Sequence, residues 1–491
     1  MSMIKVENLT FSYPTGGNVL FENVSFQIDT DWKLGFVGRN GRGKTTFLRL
    51  LQGEYEYSGK IISSVRFDYF PYPVKNKSDL TLDVLHEVCP SAEDWQLMRE
   101  LSYLDADIGA LYRPFDTLSY GEQTKVLLAA LFLREGHFLL IDEPTNHLDQ
   151  QAREAVLSYL QKKKGFILVS HDRNFLDGCV DHILSINRTD IELRSGNFSA
   201  FFSDFEKRQE AERAQNDRLK GEIKRLKNAA NQTAAWSDRA EADKIGSGAC
   251  DRGYIGHKAA KMMLQQSKNI RHRQERAIEQ KSALLRNTER AESLKMQPLA
   301  YHAERLVSLS GVAPVYGGKA VCVPVTFEIK RGDRIALLGK NGSGKSSLLK
   351  LLCGVQAGHT GEVRTGAGLI ISCIPQDTSR LRGTLAGFAA LNRIDESLFR
   401  AVLHKMGLEK AQADKDISEF SEGQKKKILL AKSLCERAHL YVWDEPLNFT
   451  DIYTRIQLEQ LIDAFQPTMI FTEHDAAFRK KVATASVELH V

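Results

Sequence analysis

The pattern G-x-x-x-x-G-K-[ST] occurs twice, as Gly38–Thr45 and as Gly339–Ser346, 301 residues apart. Each copy follows an apolar, strand-like run (LGFV, IALL) and precedes a helical one (FLRLLQ, LLKLLC). A strand that turns sharply into a helix through glycines points its free backbone N–H groups at one spot, and the helix N-terminus adds partial positive charge there. Chain segments of this kind fold into α/β layers with a phosphate-binding turn. The spacing continues downstream. FLLIDEPTNHLD at 138–149 matches LYVWDEPLNFTD at 440–451, and LVSHDRNF at 168–175 matches FTEHDAAF at 471–478. Two copies of one domain are therefore expected, each about 190 residues long, with about 95 residues between them.

With 491 residues, 42% apolar and 26% charged, the chain reads as folded rather than disordered or collagen-like. No run approaches the roughly 18 apolar residues of a membrane-spanning helix. The opening MSMIKVENLTFSYP has no basic patch followed by an apolar stretch, so no signal peptide is expected. Seven cysteines (Cys89, Cys179, Cys250, Cys322, Cys353, Cys373, Cys435) lie scattered without a C-x-x-C. Neither a zinc site nor a disulfide framework is indicated, and a reduced, cytoplasmic protein is the simplest expectation.

Formal net charge is +5, but residues 204–295 hold 21 Lys/Arg against 14 Asp/Glu, so the positive charge sits in the insert. That suits a helix surface in water or an element facing a polyanion. No proline lies between Pro144 and Pro298. Leu219, Ile223, Leu226 and Ala230, and then Met263, Ile270, Ala277 and Leu284, fall on helical stripes. Two antiparallel helices are predicted, the first over 205–236, joined by a Gly- and charge-rich loop at 237–256. The predicted domains are 1–202, a helical linker 203–298, and 299–491.

In the first copy, Gly38, Arg39, Asn40, Gly41, Arg42 and Gly43, with Lys44, Thr45 and Thr46, are expected to wrap the phosphates. In the second, Gly339, Lys340, Asn341, Gly342, Ser343 and Gly344, with Lys345, Ser346 and Ser347, take that place. Lys44 and Lys345 are expected to reach the terminal phosphates, while Thr45 and Ser346 ligate Mg²⁺. The strand-end pairs Asp142-Glu143 and Asp444-Glu445 supply a metal carboxylate and a base for the attacking water. His171 and His474 each follow a further apolar strand and are assigned to the γ-phosphate. Lys162–Lys164 and Lys425–Lys427 read by default as surface charge, the second run with RNA contact as the alternative.

LSYGEQ at 118–123 and FSEGQ at 420–424, in order with these loops, resemble the signature motif of ABC ATPases over about 80% of the chain. The resemblance implies tandem ABC-type phosphate-loop domains that pair head to tail within one monomer and sandwich two ATP molecules. Lys44 and Glu143 would then meet Ser421, Gly423 and Gln424, and Lys345 and Glu445 would meet Ser119, Gly121, Glu122 and Gln123. Asp149 and Asp451 match the D-loop at the seam. Tyr13 and Tyr316 stand where the family stacks an aromatic on adenine. Gln376 matches the Q-loop glutamine, a metal contact, but Tyr72 replaces it in the first copy. Tyr120 and Glu422 replace the first signature glycine, and Leu447 and Phe449 replace Thr145 and His147. The two sites are therefore expected to hydrolyse ATP at different rates.

The helical insert and the absence of zinc cysteines resemble the ABC-F group rather than transporter or DNA-repair ATPases. Wording such as WKLGFVGRNGRGKTT, QKKKGFILVSHDRNF, WDEPLN and GSGACDRGYIGHKAAKMM resembles Lsa-type resistance proteins. That resemblance implies binding at the ribosomal exit site, with the linker reaching 23S rRNA and the P-site tRNA. It also implies protection from lincosamides, streptogramin A and pleuromutilins. A housekeeping translation factor is the alternative and a transporter subunit the remote one; no membrane partner is expected. The linker tip is placed at 240–258; Tyr254 within it and Trp236 just before it either stack on bases or pack between the helices.

Overall fold

Four- to six-residue strands whose members are nearly all buried require cover on both faces, which is the environment of a parallel sheet between helices. Phe166–Val169, Leu440–Asp444 and Met469–Thr472 are buried throughout. A computed structural model describes residues 3–14, 19–146, 148–187, 190–245, 276, 294–355, 358–408 and 415–490. It forms two units, Met1–Ser199 with Ala291–Val491, and Ala200–Arg290. Both copies of the repeat thus lie in one unit.

The first copy has a six-stranded sheet in the order Arg66–Phe70, His137–Asp142, Phe166–Val169, Lys33–Val37, His182–Asn187, Asp190–Ser195. Its first five strands are parallel and the last is antiparallel. The second copy repeats the pattern in five parallel strands: Ile371–Ile374, Leu440–Asp444, Met469–Thr472, Arg334–Leu338, Ala485–Glu488. A smaller antiparallel sheet flanks each core, centred on Met3–Ser12 and on Arg305–Tyr316. The phosphate loops, the acid pairs and the two histidines all follow the carboxyl ends of parallel strands, where α/β sheets bind ligands. The fold is the expected one, two tandem α/β ATPase domains.

The linker helix begins at Phe198 and continues to Ile245, 48 residues. At 1.5 Å per residue that is about 72 Å, longer than the predicted 205–236. Nothing stops it sooner: the span has no proline, and Gly221 alone costs a helix only about 1 kcal/mol. Ile223 is buried, as its stripe predicts. Apart from Arg276, which is helical, the predicted returning helix lies outside the described residues, as do Tyr254 and the side chain of Trp236. The cysteines need correcting: Cys353 and Cys373 form a disulfide, with Cα atoms 6.5 Å apart. Twenty residues separate them in sequence, so spacing gave no sign of the pair.

Candidate functional site

Gly43 and Gly344 precede the helices Lys44–Leu51 and Lys345–Leu352 in left-handed backbone, at φ 92° and 87°. A Cβ on Gly43 would lie 2.5 Å from Leu20 Cδ2, so both space and conformation demand glycine. Lys44 Nζ donates to the Gly38 carbonyl at 2.8 Å and to that of Arg39 at 3.3 Å. Lys345 Nζ donates to the Gly339 and Lys340 carbonyls, each at 2.7 Å. Both ammonium groups therefore curl into their own loops. Burial pulls both below the ordinary lysine range, against the opposing carboxylates of Asp451, Glu143 and Asp142 for Lys44 and of Glu445 and Asp444 for Lys345.

Thr45 Oγ1 donates to Asp142 Oδ2 at 2.8 Å, and the hydroxyl of Tyr69 donates to the same oxygen at 2.9 Å. In the second copy Ser346 Oγ reaches Gln376 Oε1 at 3.4 Å, and Asp444 Oδ1 accepts from Thr472 Oγ1 at 2.7 Å. A hydroxyl, a carboxylate and at most one amide oxygen is the hard, oxygen-only set that suits Mg²⁺ shared with phosphate and water. Among the described residues no cluster of three or more His, Cys, Asp or Glu could hold a metal by itself. Tyr13 Oη shares a hydrogen bond of 2.7 Å with Thr46 Oγ1, and its ring packs edge-on against Phe11 and Tyr55. The side chain of Tyr316 lies outside the described residues.

The two predicted bases differ. Both adopt left-handed backbone, Glu143 at φ 52° and Glu445 at φ 45°. Their histidines stand alike, with Nε2 of His171 and of His474 each 3.4 Å from the carboxylate. Yet Glu445 Oε2 also accepts from Gln376 Nε2 at 2.8 Å and from Asn448 Nδ2 at 2.5 Å. Burial by itself would raise Glu445, but His474 and Gln376 outweigh it and hold the carboxyl below its ordinary range. In the first copy Tyr72 stands at the matching sequence position and has no amide to offer. Burial and then the adjacent Asp142 carboxylate push Glu143 up to about 8. Burial, then Lys44 and Arg455, keeps His171 neutral.

The signature serines are helix caps. Ser119 opens Tyr120–Leu131 in a capping box with Glu122, and Ser421 opens Glu422–Cys435 in one with Gln424. Gln123 Nε2 ties the first turn to the carbonyls of Phe115 and Leu118. Each signature thus presents a helix N-terminus, favourable to an anion. A Cβ on Gly423 would lie 3.3 Å from Asn40 Nδ2 and 2.6 Å from the Phe449 carbonyl, so the second signature sits on the first phosphate loop. Asn40 draws this seam together. Its Nδ2 donates to the Phe449 carbonyl at 2.7 Å, its backbone N–H to Asp451 Oδ2 at 3.3 Å, and its Oδ1 accepts from His171 Nε2 at 3.0 Å. Arg173 pairs with the buried Glu459 across the same seam. The other seam meets through Arg479 Nη2 and Gln150 Oε1 at 2.8 Å. It encloses a cleft of about 340 Å³ lined by Asp149, Lys345 and His474.

Sequence reasoning missed two lysines. Lys426 and Lys427, read by default as surface charge, are 2% and 4% exposed. Lys426 Nζ donates to the carbonyls of Asp444 and Pro375 at 3.0 and 3.1 Å. Lys427 Nζ donates to the Met406 carbonyl at 2.7 Å and to Asp451 Oδ2 at 3.0 Å. The helix turns both positions into the second copy, where Lys427 backs the seam through Asp451, the carboxylate that also accepts from Asn40. A signal existed: Lys427 shares a stripe with Leu430, Ala431 and Leu434, all buried. Lys162 and Lys163 instead lie over Tyr103 and Tyr159, with Lys163 on the buried Glu100.

A family model described as "ABC transporter" matches residues 21–146 and 322–448, one match in each copy. The "Ribosome protection protein VmlR" of Bacillus subtilis is 26% identical over 493 residues, covering 97% of this chain and 85% of that protein. "ABC transporter F family member 2" of Arabidopsis thaliana is 25% identical over 555 residues, 99% of this chain and 76% of that one. Among solved structures, the complex of archaeal ribosomal stalk protein aP1 with ribosome recycling factor aABCE1 superposes with a TM-score of 0.61. It does so at 19% identity, over 98% of this chain and 87% of that one.

Proposed function

The chain belongs to the ABC transporter family of ATP hydrolases, in its F group, and from that premise we propose that it is a ribosome protection protein. The observation that carries the reading is the likeness to VmlR, which runs over 97% of the chain and so includes the basic linker. No helix among the described residues is long and apolar enough to cross a membrane. The insert's excess of Lys and Arg gives it affinity for phosphate backbones, here 23S rRNA and P-site tRNA.

ATP binds between the copies, the first phosphate loop closing on Ser421 and Gly423 and the second on Ser119 and Gly121. Lys44 and Lys345 swing from their loop carbonyls onto phosphate oxygens. Thr45 with Asp142, and Ser346 with Asp444 and Gln376, would hold Mg²⁺, which spreads the charge of the terminal phosphates. Glu143 and Glu445 orient the attacking water, with His171 and His474 beside them; at neutral pH Glu445 is the ionised base, and Glu143 becomes one only as the pH rises. The closed form occupies the exit site of cytoplasmic ribosomes, and the linker tip displaces lincosamides, streptogramin A or pleuromutilins. Hydrolysis reopens the pair and releases it.

In cell-free translation titrated with lincomycin, tiamulin or a streptogramin A, added protein is expected to shift the inhibition curve rightward. Lys44→Ala/Lys345→Ala protein should produce no shift. Cosedimentation with ribosomes in ATP but no shift with any drug would favour the housekeeping translation factor, and no binding at all would sink the ribosomal reading.

A further inference from the structure

The repeat lets one copy serve as a control for the other. Phe70 pairs with Ile141 and Ile374 with Trp443, each one residue before the metal carboxylate, so Tyr69 corresponds to Cys373 and Tyr72 to Gln376. In the second copy Cys373 is tied to Cys353, while Gln376 touches both Ser346 and Glu445. The first copy reverses this division. The loop residue Tyr72 offers no amide, and the strand residue Tyr69 sends its hydroxyl to Asp142 Oδ2, the oxygen that Thr45 also holds.

Resting on the ATPase reading above, we propose that Tyr69 is the positioning residue of the first site and takes over the part played in the second by Gln376. Two donors on one carboxylate oxygen hold the rotamer of Asp142 and leave Oδ1 clear of both, so it would be the oxygen offered to metal or to its water. Partners of this kind orient metal ligands and typically change metal affinity by about tenfold or more. The supply differs in kind from a loop glutamine. Tyr69 stands on a strand paired along its length with His137–Asp142, so it arrives with the sheet rather than with a loop. The same strand position as Cys373 could not reach the carboxylate with a side chain of that length.

The test uses the full chain carrying Lys345→Ala, which leaves nucleotide to the first site. Mn²⁺ is titrated against a fixed ATP concentration, and free Mn²⁺ is read by EPR. Tyr69→Phe is expected to raise the Mn²⁺ concentration for half-saturation about tenfold. Metal-free ATP affinity and the melting temperature should stay at the parent's values. Adding Tyr72→Gln to Tyr69→Phe should restore binding to within twofold, because it returns the amide. A half-saturation for Tyr69→Phe within twofold of the parent, or a loss that Tyr72→Gln leaves untouched, overturns the proposal. Absence of Mn²⁺–ATP binding by the parent would overturn the nucleotide reading along with it.

Discussion

Glu445→Gln is expected to lower ATP turnover at pH 7 by about a hundredfold, whereas Glu143→Gln lowers it less than threefold. The two residues occupy the same place in the two copies, so the difference comes from their neighbours. Glu445 is held ionised by His474 and Gln376, and an ionised carboxylate is the form that can take a proton from water. Glu143 titrates near 8 because it is buried beside Asp142, so at pH 7 it is mostly protonated and cannot act as a base. The sign follows for pH. In Glu445→Gln protein the residual single-turnover rate should rise about tenfold between pH 7 and 9, as Glu143 ionises. In Glu143→Gln protein the rate should change little over the same range. Equal losses for the two single variants would refute the division of labour.

Lys427→Ala should destabilise the second copy by about 3–5 kcal/mol, read from urea unfolding followed by tryptophan fluorescence of the buried Trp443. The Lys427 and Asp451 side chains are 5% and 2% exposed. Removing the ammonium leaves a buried carboxylate whose nearest cation is gone. Burial would raise Asp451, but Lys427 and the Thr454 N–H together hold it far below the ordinary carboxylate range. Lys427→Met/Asp451→Leu should regain part of the stability, since replacing both partners removes the stranded charge while the Thr454 N–H loses its cap at about 0.5–2 kcal/mol. That double variant should still bind ATP less tightly, because Asn40 loses its Asp451 contact across the seam. If the double variant were as unstable as Lys427→Ala, the ion pair would not be the source of the effect.

Most of the site was legible because phosphate chemistry demands particular residues at fixed spacing. Glycines must turn the loop, a lysine must follow, and two acids must end a strand. The fold was legible for a related reason, since each motif carries its own strand and helix. What stayed hidden depends on contacts between distant segments. The burial of Lys426 and Lys427 rests on Asp444 and Asp451, which reach them only after folding. Tyr69 reads as one more aromatic in RFDYF, and only the pairing with His137–Asp142 aims it at Asp142. The replacement of Gln376 by Tyr72 marked the first site as different, but not what had taken its place. Cys353 and Cys373 meet because a helix end packs on a strand, which spacing does not encode. The linker helix outran its prediction because an apolar stripe marks where a helix packs, not where it stops.

The left-handed backbone at Glu143 and Glu445 sets endurance against activity in this molecule. A side chain in that conformation carries on the order of 1 kcal/mol of strain that a glycine would not. A warmer-growing host could harden the protein at either position by giving up a carboxylate, and would lose a working site in exchange. With Glu143 expected to contribute little turnover at neutral pH, the first copy is where such a loss would be tolerated. Descendants of this chain are then expected to decay into one-site ATPases from the front, with the second copy the last to lose its acid.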